Sequence, residues 1–204
     1  KQESLLNVDA CGFYSKLARE LADDAVFMDT ETSGLKPPVF VVDLCITRIR
    51  RQSDDHMAPE ILYNSLFKLE RKPREMQPDA MTLHGITYAM LERAPAFAEE
   101  LPRILNIIGG RQVVAWNAIS AEQRFIRETC QCLGIEEPSI QWVDLMVLYC
   151  KWRALGKPRA KQSEASEFLG IMPGNHRAES DAYALTEILI RMRDPAPSEA
   201  EVGF

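Results

Sequence analysis

What this sequence lacks narrows its nature first. No apolar run is long enough to cross a bilayer. No basic start leads into a short apolar stretch with a small-residue cleavage site, so no secretory signal is expected. A disulfide framework is missing too. The five cysteines, Cys11, Cys45, Cys130, Cys132 and Cys150, are odd in number and irregularly spaced. That pattern suits a reducing, cytoplasmic setting. Cys130 and Cys132 lie too close for a zinc knuckle and no second pair follows, so both read as helix residues. Nor is there a basic excess: 24 Lys and Arg against 30 Asp and Glu leave a net charge of −6. Proteins that grip long duplexes carry the opposite balance, so a tight sequence-reading DNA binder is disfavoured. A protein that meets a strand end through bound cations is not.

What is present is an ordinary globular composition, 46% hydrophobic and 26% charged over 204 residues, enough for one domain with a substantial core. Residues 12–22 have helical apolar spacing. Ala25 to Met28 form a short apolar run that ends in Asp29-Thr30-Glu31 and is bounded by Thr32-Ser33-Gly34 and Pro37-Pro38; this reads as a buried strand. Two more strands are predicted over 39–49 and 61–69, able to pair as a meander. Met76 to Asp79 breaks the pattern. A helical stretch then runs through Leu105 and Ile108 and stops at Gly109-Gly110. Gln112 to Trp116 is a further strand, and helices are predicted over 121–133, 144–155, 162–169 and 178–193. Strands first, then strands and helices in alternation, predict an α/β layered domain with a mixed sheet over 1–193. Residues 194–204 read as a disordered tail.

The chemistry gathers at four positions. Asp29 and Glu31 are two apart at a strand end, so alternation puts both on one face. Adjacent carboxylates repel unless a cation neutralises them, and oxygen ligands suit Mg²⁺ or Mn²⁺. Asp181 falls in the first turns of the last predicted helix, and His176 in the loop before it. The chain has three histidines, His56, His84 and His176; an imidazole can take a proton at neutral pH, so His176 next to a metal-bound water suits a general base.

Four segments in this order resemble the DnaQ-like, or DEDDh, 3′→5′ exonucleases. They are Phe27-Met28-Asp29-Thr30-Glu31-Thr32-Ser33-Gly34-Leu35; Tyr63 to Arg71 with Pro78-Asp79-Ala80 and His84-Gly85-Ile86-Thr87; Val113-Val114-Ala115-Trp116-Asn117-Ala118; and His176-Arg177-Ala178 through Asp181-Ala182. The resemblance spans about Val26 to Leu189. It implies an RNase H-like fold, a mixed central β-sheet flanked by helices, and two divalent ions, Mg²⁺ or Mn²⁺. It implies Asp29, Glu31 and Asp181 as metal ligands and His176 as general base. Thr32, Leu35, His84, Asn117 and Phe125 match positions that line the family's terminal-nucleotide pocket, although core packing is an equal reading of Leu35 and Phe125, and His84 suits a structural role.

The sequence departs from the family at the second motif, which supplies an aspartate four or five residues after the asparagine. Four gives Ala121, which cannot bind metal; five gives Glu122, the preferred substitute, with Asp144 as fallback. Trp116 reads as a strand-end core aromatic. The implied activity is hydrolysis of single-stranded ends to nucleoside 5′-monophosphates. DNA is favoured, with an oligoribonuclease-like RNA activity or a catalytically impaired end-binding module as alternatives. The expected partner is a single-stranded DNA or RNA 3′ end rather than a membrane. A polymerase or homodimer partner is neither required nor ruled against.

Overall fold

Alternation along the first strand sets the layers. In the computed structural model, which describes residues 2–53, 56–70, 76–157 and 159–197 and side chains from Gly12 onward, β1 spans Val26–Thr32. Val26 and Met28 face one core; Phe27 faces another. β2 (Val41–Arg51) and β3 (Met57–Leu66) continue it as the antiparallel meander expected. β4 (Gln112–Ala115) and β5 (Gln141–Asp144) lie parallel on its other side, giving the order β3-β2-β1-β4-β5. The mixed sheet flanked by helices is therefore as predicted.

Helices cover both faces. α1 (Gln2–Asp24), α6 (Leu145–Trp152) and α8 (Ala178–Met192) pack on the Phe27 side, through Leu21, Tyr149, Trp152, Leu185 and Ile188. α4 (Phe97–Ile108) and α5 (Glu122–Leu133) pack on the Val26 side through Phe97, Ile104, Phe125 and Ile126. Three short helices complete the described residues: α2 (Pro78–His84), α3 (Tyr88–Leu91) and α7 (Gln162–Phe168).

The differences from the sequence reading have local causes. β5 is an element that the sequence reading does not contain: it assigns nothing between Gly134 and the helix predicted from 144, because four residues with no fully buried side chain carry little period-two signal. Pro78 opens α2 rather than breaking the pattern, since the first helical turn tolerates a residue without an amide hydrogen. The segment expected to be a tail begins tied down: the Asp194 carbonyl accepts from Ser15 Oγ at 3.0 Å and Trp152 Nε1 at 3.0 Å. Residues 198–204 lie outside the described residues.

Candidate active site

Asp29 and Glu31 continue the Phe27 side of β1, the side on which α8 crosses the sheet. The crossing is close because only small side chains intervene: Cys45 of β2 packs on Ala178 and Ala182. Thr47 and Thr186 lock it with an Oγ1–Oγ1 hydrogen bond of 2.6 Å. Asp181, one helical position before Ala182, is thereby carried over the end of β1. Ligand atoms of Glu31, His176 and Asp181 all lie within 4.8 Å of one another. With Asp29, Trp116 and Asn117 they line an open cleft of about 650 Å³.

The electrostatics of this cleft are those of crowded acids. Burial, then Glu122, Asp181 and Glu31 in turn, push Asp29 well above the carboxylate range. Glu31 is pushed up to about 8 by burial and by Asp181 and Glu122. Burial also raises Asp181, against the opposing pull of His176. Like charges held this close are relieved by a cation. Carboxylate oxygens with one imidazole make a donor set that fits a hard divalent ion.

The loop before α8 sets His176. His176 has φ +60°, an uncommon backbone state outside glycine. It is held on both sides. Asn175 donates its amide to Ser180 Oγ at 3.0 Å, and that hydroxyl reaches Asn175 Oδ1 at 2.6 Å. On the other side Arg177 Nε donates to Asp43 Oδ2 at 2.8 Å, and the Ala178 amide approaches the same oxygen at 3.4 Å. Arg177 stands at the N-cap of α8 without capping it. Asp43 of β2, 1% exposed, caps the helix in its place from the strand beneath it. Gly174 completes the loop: a Cβ there would meet Asp181 Oδ1 at 1.6 Å, so only glycine lets the carboxylate lie where it does.

Glu122 stands at the start of α5, 4% exposed, and does not join the Glu31–His176–Asp181 group. Its Oε2 accepts from Thr30 Oγ1 at 2.5 Å. Burial pushes it up to about 8, against that hydrogen bond. It is nonetheless the carboxylate with the largest effect on Asp29. Asp144 caps α6, accepting from the Val147 amide at 3.3 Å, so the fallback acid is committed to the backbone.

Among the residues matched to the nucleotide pocket, Asn117 lines the cleft, in a left-handed backbone state (φ +57°) that Asn tolerates. Thr32, Leu35, His84 and Phe125 do not line it. Thr32 is buried and donates to the Gly34 carbonyl at 3.1 Å. Leu35 is 65% exposed, outside the cores. Phe125 packs among Met28, Phe97 and Ile104. His84 uses both ring nitrogens internally: Nδ1 accepts from the Ile86 amide at 3.0 Å, which leaves Nε2 to donate to the Thr32 carbonyl at 3.2 Å. Trp116 is half-buried, tilted against Tyr149 at 5.7 Å, and donates to the Ala160 carbonyl at 3.1 Å.

Sequence reading missed Asp43, Gly174 and the cleft-lining cations Lys157, Arg159 and Lys161. A lone acid inside the apolar run Val41-Val42-Asp43-Leu44 was the one available signal for Asp43; nothing local marked Gly174.

Paired carboxylates on a strand end, facing an acid on a closing helix and a histidine in the loop before it, in a mixed five-stranded sheet, define the class of DEDDh exonuclease domains. Residues 26–189 match the RNase T exonuclease family, and the chain belongs to it. The uncharacterized exonuclease CP81 of Escherichia phage 186 is 27% identical over 176 residues, 79% of this chain and 84% of that protein. The nuclease domain of 3′hExo, a DEDDh family member solved with rAMP, superposes with a TM-score of 0.68 at 15% identity, covering 84% of this chain and 92% of that one. Exonuclease X with 5′ overhanging duplex DNA gives 0.62 at 24% identity, covering 87% and 95%. The chain spans 65% of a 3′-exonuclease solved on a histone mRNA stem-loop.

Proposed function

We propose that the protein removes nucleotides from the 3′ end of single-stranded DNA as 5′-monophosphates, with Asp29, Glu31, Asp181 and Glu122 holding two divalent ions and His176 as general base. The observation that carries this reading is the convergence of Glu31, His176 and Asp181 within 4.8 Å on the floor of an open cleft. Bound ions would supply positive charge to the phosphate oxygens. His176, exposed at the cleft and anchored through Arg177, accepts a proton from the attacking water. The water oxygen bonds to phosphorus, the bond from phosphorus to the 3′-oxygen of the shortened strand breaks, and that oxygen takes a proton from solvent. The crowded, raised carboxylates support the need for cations. Preference for DNA rests on the first motif, Asp29 to Gly34, and the His84-Gly85-Ile86-Thr87 segment, which resemble those of proofreading-type members.

One observation favours a second reading, an end-binding module with impaired turnover: Glu122 is engaged by Thr30 and lies outside the close group. The deciding experiment follows matched DNA and RNA oligomers, labelled at the 3′ or the 5′ end, in Mg²⁺, Mn²⁺ or EDTA. Rapid release of 3′ label as mononucleotide, abolished by EDTA and faster for DNA, is expected. Release in the chelator overturns the metal mechanism; binding without release establishes the second reading.

A further inference from the structure

The acidic floor faces a cationic wall. Lys157, Arg159, Ala160 and Lys161, between α6 and α7, line the same cleft as Asp29, Glu31 and Asp181. Lys157, Arg159 and Lys161 are exposed. Among the described residues, the ion pairs join other cations to carboxylates and leave these three out. The segment is pinned to the site. Trp116 Nε1, at the end of β4, donates to the Ala160 carbonyl at 3.1 Å. Gln162 Nε2 donates to the carbonyl of Asp181 itself at 2.8 Å. Glu164 also lines the cleft, with its carboxylate accepting from the Lys161 amide at 3.2 Å, so the wall carries three positive charges against one negative.

A chain with net charge −6 has no general attraction for a polyanion. Ions bound at the floor would draw in the scissile phosphate alone; the phosphates behind it would meet a negative surface. Fixed cations beside the floor remove that conflict. Resting on the exonuclease reading, we infer that Lys157, Arg159 and Lys161 form a rim that binds backbone phosphates on the 5′ side of the scissile linkage. Such contacts read charge and not base, so the rim sets affinity for a strand of sufficient length and is indifferent to its sequence.

The test uses the full chain and its triple variant Lys157→Gln, Arg159→Gln, Lys161→Gln, with the single variant Arg159→Gln alongside and melting temperatures to verify folding. Binding is read as fluorescence anisotropy of a 5′-labelled oligodeoxythymidylate dodecamer with a phosphorothioate last linkage, across a salt series. Each phosphate neutralised on a single strand contributes about −0.7 to the slope of log affinity against log salt. The triple variant should flatten that slope by about 2, and Arg159→Gln by about 0.7. In turnover, the triple variant should raise KM at least about tenfold for the dodecamer, and more than for a dinucleotide, which has no phosphate behind the scissile one. A folded triple variant with the wild-type salt slope and the wild-type ratio of KM values overturns the rim. A wild type that releases no nucleotide from either substrate overturns the exonuclease reading instead, and the salt slope still reads the rim by itself.

Discussion

Arg177 Nε meets the buried Oδ2 of Asp43 at 2.8 Å, joining the residue after His176 to the strand that runs beside Glu31. The other Asp43 oxygen is buried without a hydrogen-bond partner, and burial raises the acid while Arg177 opposes the rise. The pair therefore serves position more than stability. Arg177→Met should leave a buried carboxylate with only the Ala178 amide, costing about 2 kcal/mol, less than a wholly buried pair because the Arg177 side chain is 36% exposed. Turnover should fall further than the loss of stability explains, while Arg177→Lys recovers part of it. Denaturant melts and kcat on the two variants check this; wild-type kcat in Arg177→Met would release His176 from any dependence on the pair.

Gly174 should be a functional glycine rather than a flexible one. Its Cα lies against the Asp181 carboxylate, and Gly174→Ala must move that group or the loop. Displacing a reacting group by about 1 Å costs on the order of 100-fold in rate. A loss of that size in kcat, with a melting temperature within a few degrees of wild type, is expected. Unchanged kcat would mean that Asp181 has room the geometry denies it.

Glu122 separates the two readings of function. As the fourth acid it should make Glu122→Ala lose about 100-fold or more in kcat, while Glu122→Asp, the acid usual at this place in the family, retains or gains turnover. Mn²⁺ should sustain the variants better than Mg²⁺, whose coordination tolerates less distortion. Full activity in Glu122→Ala would leave Asp29, Glu31 and Asp181 as a three-carboxylate site and reduce Glu122 to the buried partner of Thr30.

The raised acids also predict how the metal-free protein responds to pH. An acid with a folded pKa above its unfolded one stabilises the fold fully below the unfolded value and loses that contribution as pH rises through the folded value. For Glu31 and Glu122 the window runs from 4.5 to about 8. In EDTA, the stability of the wild type relative to Glu31→Gln should therefore fall as pH rises from about 5 to 8. Divalent ions should flatten the trend, because they take the place of the protons, which are released on binding. Calorimetric melts in both conditions read the difference; a flat trend in EDTA would mean that Glu31 ionises freely in the fold.

Much of this protein is legible along the chain. The apolar run ending in Asp29-Thr30-Glu31 dictates a buried strand with two acids on one face, because side chains alternate whatever the rest of the molecule does. The apolar spacing after Ala178 likewise dictates a helix with Asp181 near its start and His176 just ahead of it. Those periodicities are properties of neighbours in sequence. Tertiary structure alone decided the rest. Phe125 and Leu35 are both apolar, yet one is buried under the sheet and the other faces solvent, since only the packing of α5 on β1 and β2 defines an inside. Asp43 caps a helix 134 positions away, Gly174 makes room for Asp181, and Lys157, Arg159 and Lys161 come to face the acids. Each of these depends on how two distant elements meet, and no local pattern of residue types records that distance.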